Sequence, residues 1–312
     1  RLLGMEILRL ALERGATARE AARVCAEMTE RHGQGGGCAE GDSSWTYENG
    51  YLFADAQEAF VVETCGAHGW AIEQVPPGTF RNISNGVSIR SQVFAMKAGL
   101  KEELAKRGLC DQDAETFDWK VAVSGAGRSG RSAGALELAG RELEGRNFLA
   151  ALAQDLKERR VQPGDVAGLS RRFMDILRDE DSGICFRDLH GFNSTGSQVS
   201  WLPLAAGAAA PPAQHFFTCA SDPMLAVYKR FCFPPAAPGS EAPASDHRSL
   251  ELWRAWREIA LRRRTGPPRE QLAAIEEEAL AAAAEARPAS RGMLAEACAR
   301  ELDLLARAGA AA

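Results

Sequence analysis

Asn85 is the polar side chain with the most direct claim on chemistry. It lies in RNISNGVSI (81–89), where Ile83, Val87 and Ile89 alternate as on one face of a strand. A side-chain amide held on such an element can donate to a developing oxyanion. Asn85-Gly86 also suits a turn at a strand end, and both readings stand. Cys65 and His68, and Cys185 and His190, are close enough in sequence to suggest a thiol with a base. Each pair equally fits a core cysteine beside an unrelated histidine. Cys65-x-x-His68 has half of a zinc spacing, but no second pair of ligands matches it, so no metal is expected.

Two glycine-rich segments invite a phosphate. VAVSGAGRSG (121–130) places Gly125, Gly127 and Gly130 in dinucleotide-loop spacing after a short β-like run. The fingerprint also needs a second strand and an acidic residue about 20 positions on. Residues 135–160 read as helix instead, so no nucleotide cofactor is expected. Gly33, Gly35, Gly36 and Gly37 are followed by no Gly-Lys-Ser/Thr, and read as a helix stop and loop.

These residues must be positioned by two helices and a set of strands. Residues 2–14 form an amphipathic pattern that stops at Gly15. Thr17 with Glu20 three residues later makes a capping box for a helix ending at His32-Gly33. The period then shortens to that of a strand. Residues 51–53 and 59–62 flank a turn, and 70–72 and 83–89 are further strands. Helical patterns return at 92–108, 134–160 and 166–178, with strands at 197–202 and 215–219. Residues 233–246 form a Pro/Ala/Ser linker, and 247–312 is a helical region split by Pro288. Helices followed by a run of strands predict an α+β fold.

Composition narrows the function further. The 312 residues are 46% hydrophobic and 25% charged, with a net charge of −5. That balance excludes global disorder and gives no basic footprint for nucleic acid. Arg262, Arg263 and Arg264 end an amphipathic helix, where cations complement its dipole. The longest apolar stretch, 201–213, is too short to span a bilayer. Eight cysteines without a C-x-x-C pair read as reduced core residues of a cytoplasmic protein. Arg1 opens a helical pattern with no cap before it, which reads as an N-terminally truncated chain.

LLGMEILRLALERGATAREA, ERHGQGG, YLFADAQEAFVVET, RNISNGVSI, ILRDEDSGIC and HFFT…SDP, in this order, resemble the secernins. These are similar to cysteine-type dipeptidases of the N-terminal-nucleophile hydrolases. The resemblance runs from Arg1 to about residue 265 and is weakest over 111–165 and the linker. It implies an αββα sandwich lacking its N-terminal strands here, a partial hydrolase domain at 1–232, and an N-terminal Cys nucleophile upstream of Arg1. It places an oxyanion-hole asparagine at Asn85 and implies a small peptide or amide substrate. The second implication is a non-catalytic interaction protein acting in regulated exocytosis.

Overall fold

Thr17 begins a helix as its spacing to Glu20 requires: its Oγ1 accepts the Glu20 N–H at 3.1 Å, while Glu20 Oε2 accepts the Ala16 N–H at 2.8 Å. The second half of the box is thus closed one residue earlier than the motif expects. The computed structural model describes residues 1–37, 41, 43, 44, 46–83, 86–111, 113, 117–124, 150–152, 154, 157, 158, 162, 164–179, 184, 185, 194–203, 213–218, 220, 223–231, 248–262, 266–287 and 291–310; of these, 124, 248, 249, 260–262, 291, 309 and 310 are described by backbone alone. The chain divides into two units, Arg1–Arg146 and Asn147–Ala312. Helices and antiparallel sheets make the fold α+β.

In the first unit, α1 (Gly4–Arg14) and α2 (Ala18–His32) bury a narrow apolar stripe that includes Ile7, Ala11, Ala22 and Cys25. Gly33 ends α2 at φ 75°, a conformation that favours glycine, and its N–H returns to Thr29 O. Strands β1 (Gly50–Ala54), β2 (Ala59–Cys65), β3 (Gly69–Gln74) and β4 (Ala95–Met96) form an antiparallel sheet in that order. Asp55 shapes the first hairpin by accepting the Gln57 and Glu58 N–H groups, and also accepts the Ala18 N–H at the start of α2. One sheet face, with Tyr51, Phe53, Phe60, Val62 and Ile72, packs on α1 and α2. Burying such side chains contributes about 1.5–3 kcal/mol each.

The other face carries Val61, Glu63, Ala71 and Glu73, because Val61 pairs with Glu73 and Glu63 with Ala71. It packs on Ile89, on α3 (Leu100–Lys106) and on α4 (Trp119–Ser124). Three expectations change in this layer. The described residues of 83–89 form no strand; the sheet's fourth strand is β4, opposite Ala71 and Ile72. The helix expected over 92–108 is confined to 100–106, beginning after Gly99 at φ 73°. The β-like run before Gly125 is helix α4: Trp119, Ala122 and Val123 share its buried face while Val121 is exposed. The dinucleotide reading thereby loses its strand, and Gly125, Gly127 and Gly130 lie outside the described residues.

In the second unit, Asp165 caps α5 (Val166–Leu177) by accepting the Gly168 N–H. Strands β5 (Gln198–Trp201), β6 (Gln214–Phe217) and β7 (Lys229–Phe231) form a three-stranded antiparallel sheet. Helices α6 (Arg248–Arg262), α7 (Arg269–Ala284) and α8 (Arg291–Ala310) follow. Met174, Val199, Phe216, Tyr228, Leu280 and Ala283 form one core cluster. Two buried ion pairs tie helices to the segment entering β7. Arg178 grips Glu276 with both terminal nitrogens, and Lys229 Nζ donates to Glu301 and to the Thr218 and Val227 carbonyls. All three ammonium protons thus have acceptors, as burial of a charge requires. Residues 233–246 and Pro288 lie outside the described residues. Among the described residues no helix is long and apolar enough to cross a membrane.

Candidate functional site

Gln34 follows Gly33 directly, and its side chain turns inward: the residue is buried to 3% exposure. Its backbone N–H bonds Ala67 O, and Leu2 N–H bonds Gly33 O, which stitches this loop to the β2–β3 turn and to the segment before α1. The Gln34 amide is fully used. Nε2 donates to Glu48 Oε2 at 2.9 Å and Gly66 O at 2.7 Å, and Oε1 accepts from Asn49 Nδ2. Glu48 Oε1 accepts the Gly66 N–H at 3.0 Å. Asn49 extends the hairpin by one rung, donating its N–H to Thr64 Oγ1 and accepting the Thr64 N–H.

These groups form one wall of a cavity of about 650 Å³, within the range of small-ligand sites. Arg1 and Tyr47 also line it, and Ile83, Gly86 and Val87 close it from another side. The lining combines the amides of Gln34 and Asn49, the carboxylates of Glu48 and Glu63, the Arg1 guanidinium and hydroxyls, which suits the amide and charged ends of a short peptide. Among the described residues none of the cysteines lines it.

The described residues of 81–89 are fastened by side chains rather than by a strand ladder. Glu63 accepts the Ser88 N–H at 2.7 Å, the Ser88 hydroxyl at 2.5 Å, the Ile89 N–H and the Trp119 Nε1–H at 3.0 Å. Arg81 donates to both Glu73 oxygens, at 2.9 and 3.1 Å, and to Ser88 Oγ at 2.9 Å. The Ile89 and Arg90 carbonyls accept N–H groups at the start of α4. Their polar groups being spent in this way, the described residues of the segment pair with no strand. The alternation of Ile83, Val87 and Ile89 still marks its apolar side, which packs with Val61, Leu104 and Trp119.

Asn85, with Ser84, lies outside the described residues; its neighbours Ile83 and Gly86 line the cavity. Cys65 and His68 are not brought together as a dyad. The Cys65 side chain packs against the core that includes Val61, Leu104 and Trp119, where burial raises its pKa, while His68 Nδ1 bonds Glu30 O at 2.9 Å. Cys185 is buried, and His190 lies outside the described residues. Among the described residues no group of three or more His, Cys, Asp or Glu could hold a metal ion.

The sequence reading missed Gln34, Glu48, Asn49, Glu63 and Glu73. A signal existed for the last two: in VVET and AIEQ they share strand parity with the core residues Val61 and Ala71. An acidic residue at a core-facing position demands a partner.

Residues 3–130 match the model of peptidase family C69. The match covers less than half of the chain. It takes in α1 to α4, the whole four-stranded sheet and every described cavity residue except Arg1.

Proposed function

We propose that this protein is a secernin-like hydrolase related to cysteine-type dipeptidases, which cleaves the amide bond of a small peptide. The observation that carries the reading is the polar cavity lying within the stretch that matches a peptidase family. In this reading an N-terminal cysteine outside residues 1–312 supplies the attacking thiol, as in the hydrolases it resembles. The αββα sandwich of those hydrolases belongs to the same reading. Attack on the scissile carbonyl forms a tetrahedral intermediate whose collapse expels the amine and leaves an acyl-enzyme, which water then hydrolyses.

Asn85 is the oxyanion donor in this scheme. Ile83 and Gly86 near it in sequence border the cavity, and Ser88 and Ile89 of its segment are held by Glu63, with Arg81 also on Ser88. The test is dipeptide hydrolysis by the full-length protein and its Asn85→Ala variant. Turnover should fall by about a hundred- to thousandfold, with KM changing far less. Unchanged turnover in a folded variant would return Asn85 to a turn residue. A folded protein that cleaves no dipeptide would favour the non-catalytic interaction protein instead.

A further inference from the structure

We infer that Glu63 and Glu73 are positioning residues, a pair of carboxylates on one sheet face that clamps the cavity wall at both ends. The inference rests on the proposed peptidase reading for its consequence in catalysis, but the clamp itself stands on geometry alone. Val61 pairs with Glu73 and Glu63 with Ala71, so the two carboxylates leave the same face of β2 and β3. Both are nearly inaccessible, at 2% and 9% exposure. A structural core would place apolar side chains there at less cost, because a buried carboxylate must recover its lost hydration through hydrogen bonds.

Each of them bonds described residues of 81–89, and Glu63 accepts the Trp119 Nε1–H of α4 as well. Glu73 holds Arg81 by a two-pronged ion pair, and Glu63 holds Ser88 by N–H and hydroxyl together and Ile89 by its N–H. Arg81 also donates to Ser88 Oγ, which joins the two anchors into one network. Between the anchors, Ile83, Gly86 and Val87 form the cavity wall. Glu63 itself lines the cavity, so the clamp includes a residue of the site. A wall fastened by directional, charge-assisted bonds at both ends keeps its position without a strand ladder. Substrate-positioning walls need this, because a displacement of about 1 Å can cost roughly a hundredfold in rate.

The test uses the full-length protein with Glu63→Gln, which keeps the shape but offers an NH₂ where donors already point. Arg81→Lys is the second variant, because it loses the two-pronged grip while keeping the charge. Amide hydrogen exchange is read at Ser88 and Ile89 and along β2 and β3, beside kcat and KM for a dipeptide. We expect the two wall amides to exchange roughly tenfold faster while the strands keep their protection. We expect kcat to fall by about a hundredfold with KM little changed. If Glu63→Gln fails to fold, Arg81→Lys decides. Unchanged wall exchange overturns the clamp. Equal loosening of β2 and β3 overturns it too, since the carboxylates would then only support the core. Faster wall exchange with unaltered kcat and KM would remove the positioning role. If the parent protein cleaves no dipeptide, the peptidase reading fails, and wall exchange alone decides the clamp.

Discussion

Gly4, the first residue of α1, lies against the side chain of Asn49 so closely that a Cβ on it would sit 1.9 Å from Asn49 Oδ1. The start of a helix thereby fixes the face of the cavity that Asn49 and Gln34 share. Two effects compete in Gly4→Ala. Within a helix the change normally stabilises by about 0.5–1 kcal/mol, whereas overpacking costs about 1–3 kcal/mol. Asn49 is held by its Nδ2–H bond to Gln34 and its backbone bonds to Thr64, so its side chain cannot move aside freely and overpacking decides the sign. Gly4→Ala should lower stability by about 1–2 kcal/mol in denaturant melts and, under the proposed function, weaken dipeptide hydrolysis by displacing the Asn49 amide. A more stable variant with normal hydrolysis would show that Asn49 shifts at no cost.

Cys65 is the described thiol nearest in sequence to a histidine, yet burial raises its pKa and so lowers its thiolate fraction at neutral pH. Alkylation at Cys65 should therefore be slower than that of a free cysteine. Cys65→Ala should leave the proposed peptidase activity intact. Loss of hydrolysis in a folded Cys65→Ala variant would make this internal cysteine the nucleophile and remove the need for an N-terminal one.

Tyr51 points its hydroxyl into the core between the sheet and α2, and among the described residues no group accepts or donates to it. Burial pushes the pKa of this phenol up, with the nearby Cys25 and Tyr47 adding to the effect. An unsatisfied buried hydroxyl costs about 1–3 kcal/mol, and the ring is retained in phenylalanine. Tyr51→Phe should thus stabilise the protein by about 1 kcal/mol, raising Tm by roughly 2–4 °C. A lowered Tm would reveal a partner for the hydroxyl.

The legible parts of this molecule are those decided within a few residues. The Thr17 cap, the Gly33 stop and the β1–β2 hairpin depend on local chemistry, and the spacing of their side chains shows it. Residues 81–89 misled because alternation reports which side is buried, not what the backbone bonds. Here the answer lay with Glu63, twenty-five residues before Ser88. The cavity was illegible for the same reason. Gln34, Glu48 and Asn49 look like ordinary loop polar residues until folding joins them across 14 or 15 positions. Alternation did mark residues 81–89 as a segment with one apolar side, and Ile83, Gly86 and Val87 of that segment line the cavity.

Glu276 offers a test of the second unit by pH. Burial alone would raise its pKa; the hydrogen-bonded Arg178 guanidinium, with the Tyr228 N–H and Arg269, outweighs burial and holds it below the usual 4.5. A carboxylate whose pKa is depressed in the folded state stabilises above its unfolded pKa. That contribution is lost as pH falls through the folded value. Melting temperature should therefore hold steady above about pH 4.5 and decline below it, to the extent that Glu276 dominates. Arg178→Met reverses the logic, because the carboxylate is then buried without its main counter-charge and its pKa moves up. The variant should lose about 3–5 kcal/mol near pH 7 and recover part of that deficit as acid protonates Glu276. Parallel curves for parent and variant between about pH 3 and pH 7 would mean that the pair contributes nothing that titrates.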